Sequence, residues 1–192
     1  MKKERKNIWI AGAVMLTALA VSQTLAFFTT SVDTENIIQF GDLGIRINET
    51  TLDAQGEEVA YSPGESANIS RNSRQSRIVR VENTGGQPMY VRVDLGIKGT
   101  DKDGNEIKNA DALAGYTLND EDWLYQDGWY YYREALEPGS ETEELLTEVI
   151  FDIDEISSLY PGGNFDLNVS AQGVQSRNNE DNVLAARGWP EE

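Results

Sequence analysis

The chain has neither cysteine nor histidine in its 192 residues. Without cysteine it takes no stability from disulfides, so packing alone must hold any exported form. Without histidine there is no Ser-His-Asp or Cys-His nucleophile system. With both missing, zinc centres of the usual His/Cys type are excluded, including the HExxH helix of metalloproteases. No glycine-rich phosphate loop follows a strand. Long apolar runs are scarce too. The longest, Ile8 to Val21, spans roughly 21 Å as a helix, short of a hydrocarbon core of about 30 Å. Basic residues are few, with 16 Lys+Arg against 33 Asp+Glu.

The apolar run follows Lys2-Lys3-Glu4-Arg5-Lys6 and precedes Thr24-Leu25-Ala26. A cationic start, a short apolar stretch and small residues at −3 and −1 predict a secretory signal peptide cleaved between Ala26 and Phe27. The rival is a signal anchor retained in the membrane. The cleavage-site flanks and the lack of any later spanning run favour cleavage, and no apolar anchor or wall-sorting signal is expected at the C-terminus. The first 26 residues hold four of the basic residues and one of the acidic ones, leaving 12 basic against 32 acidic in the mature part. Such a surface repels phosphate backbones, so nucleic acid is not an expected partner. It favours solubility and attracts divalent cations or basic polymers. A carboxylate-pair hydrolase stays open because acids are plentiful, but no pair is singled out.

The mature length suits one domain with a packed core, and its pattern is that of β-structure. Asn36 to Phe40 and Leu43 to Ile47 alternate around Gly41-Asp42, which predicts a half-buried strand with a bend. Tyr61 to Glu65 reads as a turn. Arg77 to Glu82 alternates, with Val79 and Val81 on one face and Ile78 out of phase. After the loop Asn83 to Pro88, Met89 to Ile97 has apolar odd positions. These two strands are expected to form an antiparallel hairpin. Asp101 to Glu106 has the composition of a calcium loop but not the spacing. Gly104 is fourth rather than sixth, and Ala112 occupies the twelfth position, so a hairpin turn is predicted, with weak surface calcium binding left open.

Trp123-Leu124-Tyr125, Gln126-Asp127-Gly128 and Trp129-Tyr130-Tyr131-Tyr132 give the strongest hairpin signal. Its rings suit the core of a sandwich with some at the rim; a sugar-stacking platform is the alternative. Pro138-Gly139 turns the chain, and Glu143 to Leu146 reads as one helical turn before a strand at Glu148 to Phe151. Asn164 to Val174 is a last strand, with Phe165, Leu167, Val169 and Ala171 on one face. Val183 to Ala186 predicts a short terminal helix leading to Trp189. The fold class is all-β, an antiparallel sandwich.

Thr24-Leu25-Ala26-Phe27-Phe28-Thr29-Thr30, then Asn36, then Phe40-Gly41-Asp42-Leu43-Gly44-Ile45, resembles the start of exported proteins processed by the dedicated signal peptidase SipW. TasA-type biofilm fibre proteins and camelysin belong to that group. Similar pieces follow at Pro63-Gly64-Glu65, at Val81 to Gly85 running into Tyr90-Val91-Arg92, at Asp127 to Tyr132 before Leu136-Glu137-Pro138-Gly139, and at Val169 to Gln175 with Trp189. Thr30 stands where an Asp is common. The resemblance implies a jelly-roll or immunoglobulin-like sandwich that assembles outside the cell. It also implies an N-terminal segment able to leave its own subunit and complete the next one's sheet. Peptidase activity has been proposed for camelysin, but this chain has no ligands of the zincin kind.

The expected organisation is therefore a signal peptide over 1–26, a donor-strand segment over 27–36 and a sandwich over 37–192. The expected function is that of a secreted structural subunit of a biofilm matrix or cell-surface fibre, not an enzyme. Phe27, Phe28 and Val32 are expected to form the self-assembly strand. Partners are other copies of the chain, further matrix proteins and the signal peptidase. Neither a cofactor nor a stable membrane anchor after cleavage is expected. The same segment packed as an edge strand of its own domain is the plainer arrangement, and both hold if it is closed in the monomer and exchanged in the fibre. The alternatives are a secreted carbohydrate-binding sandwich using Trp123 to Tyr132 and a camelysin-like peptidase.

Overall fold

The computed structural model describes residues 29–33, 38–40, 42–62 and 74–190. The signal sequence and the expected cleavage site lie outside them. Two antiparallel sheets account for most of the described chain. The first has the order β1 (Thr29–Asp33), β11 (Asn164–Gln175), β6 (Met89–Thr100), β9 (Trp129–Tyr132), β8 (Trp123–Gln126). The second runs β2 (Ile38–Phe40), β3 (Leu43–Leu52), β5 (Arg74–Asn83), β10 (Leu146–Phe151), β7 (Ala114–Leu118), with β4 (Glu58–Ala60) hairpinned on β3.

Alternation in the longest strands builds the core between them. In β6, Met89, Val91, Val93, Leu95 and Ile97 are buried, and β11 pairs with β6 over its whole length. Phe165, Leu167, Val169 and Ala171 of β11 join them against Leu43, Ile45, Val79, Val81, Leu146 and Phe151 of the opposite sheet. Period-two burial on one face of each sheet is what a two-layer β-structure needs.

Several connections differ from the sequence reading. The expected bent strand over 36–47 is a reversal, since Ile38 pairs with Ile45 and Phe40 with Leu43. The expected hairpin between β5 and β6 is instead a crossing from one sheet to the other. Asn83, fully buried, holds that corner. Its Nδ2 donates to the carbonyls of Gln87 and Leu136 at 2.9 and 2.8 Å, and its Oδ1 accepts from the Gly85 amide at 3.0 Å. Gly85 is packed so closely that a Cβ there would lie 2.5 Å from the Asp42 carbonyl oxygen.

The helical turn expected at Glu143 to Leu146 is extended, because Leu145 and Leu146 are both fully buried and the Leu145 amide bonds the Val79 carbonyl of β5. The α-helix lies later, at α1 (Ile153–Leu159). Asp152 caps it by accepting from the Glu155 amide at 2.9 Å, and Ile156 is its buried residue. The terminal helix reduces to a 3-10 turn at Val183–Ala185. The aromatic hairpin is as expected: β8 and β9 pair from Trp123–Tyr132 to Gln126–Trp129. Asp127 and Gly128 turn at φ 51° and 88°, the left-handed pair that a two-residue hairpin requires.

Candidate functional site

Among the described residues the first sheet ends on a strand paired on one side. In β1, Thr29 lies opposite Val174, Thr30 opposite Gly173, Ser31 opposite Gln172, Val32 opposite Ala171 and Asp33 opposite Ser170. β11 is twelve residues long, so β1 covers only its C-terminal half. Asn164 to Asn168 have no strand on that side among the described residues. Of the residues expected to drive assembly, Val32 is placed in this edge strand. Ala26, Phe27 and Phe28 lie outside the described residues.

Beside the uncovered half of β11 the two sheets part around a cavity of about 330 Å³. Its apolar lining includes Leu52, Val149, Phe165 and Leu167. Arg77 and Gln75 of β5 also line it. Arg77 is buried although charged. Its Nε donates to Glu49 Oε2 at 2.7 Å, its Nη1 lies 3.5 Å from Asp166 Oδ1, and its guanidinium stacks 3.2 Å from the Tyr61 ring centroid. Nη2 of Arg77 and Nε2 of Gln75 are buried with no hydrogen-bond partner among the described residues. Burial pushes the Glu49 carboxyl above its ordinary pKa, outweighing the attraction of Arg77; nearby Asp166 pushes the same way. Sequence reading did not single out Arg77. The only signal was a basic residue opening the alternating run of β5.

The outer face of the first sheet carries a second cluster. Tyr90, Trp129, Tyr131 and Val174 are buried there under Val183, Ala186 and Trp189 of the C-terminal segment. Arg92 lies between two indoles, 4.1 Å from the Trp129 ring and 4.7 Å from that of Trp189. Its Nε and Nη2 both donate to Gln172 Oε1, at 2.9 and 2.7 Å, and its Nη1 to the Tyr131 hydroxyl at 3.2 Å. Cation–π stacking plus a fork of donors ties the tail to the sheet.

The aromatic hairpin spreads its rings over both faces. Trp123 joins the main core, Trp129 and Tyr131 the outer cluster, and Tyr125 is 66% exposed, its ring tilted against that of Tyr130 with centroids 4.8 Å apart. A flat row of exposed rings is therefore not built by this hairpin. The Asp101 loop is a turn: Asp101 accepts from the amides of Asp103 and Asn105 and from the Asn105 side chain, which holds its carboxyl below the ordinary range. Among the described residues no group of three or more Asp or Glu side chains is placed to hold a metal ion, and no helix is long and apolar enough to cross a membrane. Comparison with known proteins finds no match to any protein-family model, curated protein or solved structure.

Proposed function

We propose that the chain is an exported structural subunit, freed of its signal peptide between Ala26 and Phe27, that forms filaments at the cell surface or in an extracellular matrix. Its partners are further copies of itself and other matrix proteins. In this reading the domain is a jelly-roll-like sandwich and Phe27 to Val32 is the exchangeable strand, led by two phenylalanines. Fully burying each ring contributes roughly 1.5–3 kcal/mol.

The observation that carries the reading is the place of β1. Among the described residues it ends its sheet and pairs only with β11, over five residues from Thr29–Val174 to Asp33–Ser170. An identical strand from a neighbouring subunit satisfies the same register, as β-augmentation requires. The contact joins two different surfaces, so it repeats head to tail and stays open-ended. With 12 basic against 32 acidic residues from Phe27 onward, the subunits also repel one another until a directional contact forms. The scattered burial of the hairpin rings gives the carbohydrate-binding alternative little support.

The test compares the mature chain from Phe27 with one lacking Phe27 to Val32. Light scattering follows growth and circular dichroism follows folding. The reading predicts a folded truncated protein that does not elongate. Fibres at the full-length rate, or a truncated protein that fails to fold, would overturn it.

A further inference from the structure

We propose that the C-terminal segment 176–190 is a latch that holds β1 in its own sheet, acting through Arg92 and Gln172. The two halves of β11 are covered unequally. Asn164 and Asp166 are exposed, whereas Gln172 is 8% exposed and Val174 is fully buried. The covered half is the one that β1 pairs with, from Ser170 to Val174. Gln172 lies opposite Ser31 of β1 on one side and Arg92 of β6 on the other, and Val174 lies opposite Thr29 and Tyr90. Val183 and Ala186 share one cluster with Val174, and Trp189 packs against it. Arg92, between the indoles of Trp129 and Trp189, gives its Nε and Nη2 hydrogens to Gln172 Oε1.

β6 pairs with β11 over its whole length, so that ladder does not distinguish the two halves. The latch does. It grips two residues of β11 that are also register partners of β1, and backbone bonds sheltered from water open less readily than exposed ones. The segment is itself tied down. The Tyr90 hydroxyl donates to the Glu180 carbonyl at 3.0 Å, and Asn179 Nδ2 to the carbonyls of Gln175 and Arg187 at 3.0 and 3.1 Å. Among the described residues β1 pairs only with β11, so loosening that half of β11 loosens β1. Such coupling is reciprocal, and weakening β1 must loosen the segment in turn. The latch is a property of the single chain. Its consequence for filaments, that release of the latch precedes strand exchange, rests on the function proposed above.

The test uses the chain from Phe27 onward, labelled with 15N and kept dilute, with amide exchange followed by NMR. Trp189→Ala should quicken exchange at Thr29–Asp33 by about tenfold, while Leu95, Ile97 and Leu167 stay slow. Arg92→Met should do the same. Trp189→Phe keeps a ring over the guanidinium and should restore most of the protection. The reverse variant combines Thr30→Pro with Ser31→Pro. Alternate amides of an edge strand face its neighbour, so one of the two prolines removes a bond to β11. The amides of Leu184 and Arg187, bonded to the side chains of Asn182 and Asn179, should then exchange about tenfold faster. Quickening confined to 176–190 in Trp189→Ala overturns the proposal, and so does quickening that reaches the whole core. Unprotected amides over Thr29–Asp33 in the unchanged chain, or a reverse variant with an unchanged tail, overturn it too. Fibre growth, followed by light scattering, should start sooner in Trp189→Ala. The exchange pattern without fibres from any variant supports the latch and counts against strand exchange. Fibres with the same onset in both proteins overturn the part given to the latch in assembly.

Discussion

Arg77 and Glu49 form an ion pair at 2.7 Å with side chains 7% and 8% exposed, inside a chain whose other acids mostly face water. Such a pair is costly to break and cheap to replace whole. Removing one partner strands a charge in low dielectric, which costs about 3–5 kcal/mol. Arg77→Met should lose about that much in urea unfolding. Arg77→Met with Glu49→Leu should recover most of it, because both desolvation penalties vanish together. A double variant as unstable as the single one would mean that the guanidinium stack on Tyr61, rather than the pair, holds this end of the sandwich.

The same pair sets a pH dependence. Burial raises the Glu49 pKa in the folded state. A raised carboxyl binds its proton more tightly folded than unfolded, so its contribution is fully present below the ordinary Glu value. It is lost as pH rises through the raised value. Relative to Glu49→Gln, the wild type should therefore lose stability across that window. Urea midpoints of both proteins between about pH 4 and pH 7 check this, since the other carboxyls cancel in the comparison. A wild type that gains on the variant with rising pH would show that the Arg77 attraction outweighs burial.

The Arg92 stack predicts a local effect. Trp189→Ala removes one of the two indoles around the guanidinium and the edge contact between Trp189 and Tyr131 at 5.7 Å. The cost should be about 1–2 kcal/mol. Amide exchange should quicken over residues 176–190 and stay slow at Val91, Val93 and Val169 in the main core. Uniform quickening would mean that the tail and the sandwich unfold as one unit.

Much of the fold was legible because the signal was local. The alternation of Met89 to Ile97 and of Phe165 to Ala171 gave the two central strands of the first sheet, and Asp127-Gly128 gave its hairpin. What failed was long-range. Nothing in Asn83 to Pro88 distinguishes a hairpin loop from a crossing between sheets; the difference lies in the bonds of Asn83 to Leu136, 53 residues away. Leu145-Leu146 followed two glutamates and fitted a helical turn until both leucines were drawn into the core. The α1 helix did carry a local sign, Asp152 with Glu155 three positions on, which sequence reading passed over. The Arg77 and Arg92 sites depend on partners from distant strands, so sequence alone offered only isolated basic residues.

The central claim is that β1 leaves its own β11 for a neighbour's during assembly. With no native cysteine, an introduced pair reports on this without ambiguity. Thr30→Cys with Gly173→Cys places the two sulfurs on residues opposed in the register, at a spacing of roughly 4.5–5.5 Å that a disulfide spans. Oxidised as dilute monomer, the protein should cross-link within one chain. Oxidised after fibres have formed, it should give a ladder of covalent multimers on non-reducing electrophoresis. Fibres that yield only internally cross-linked monomers would contradict strand exchange.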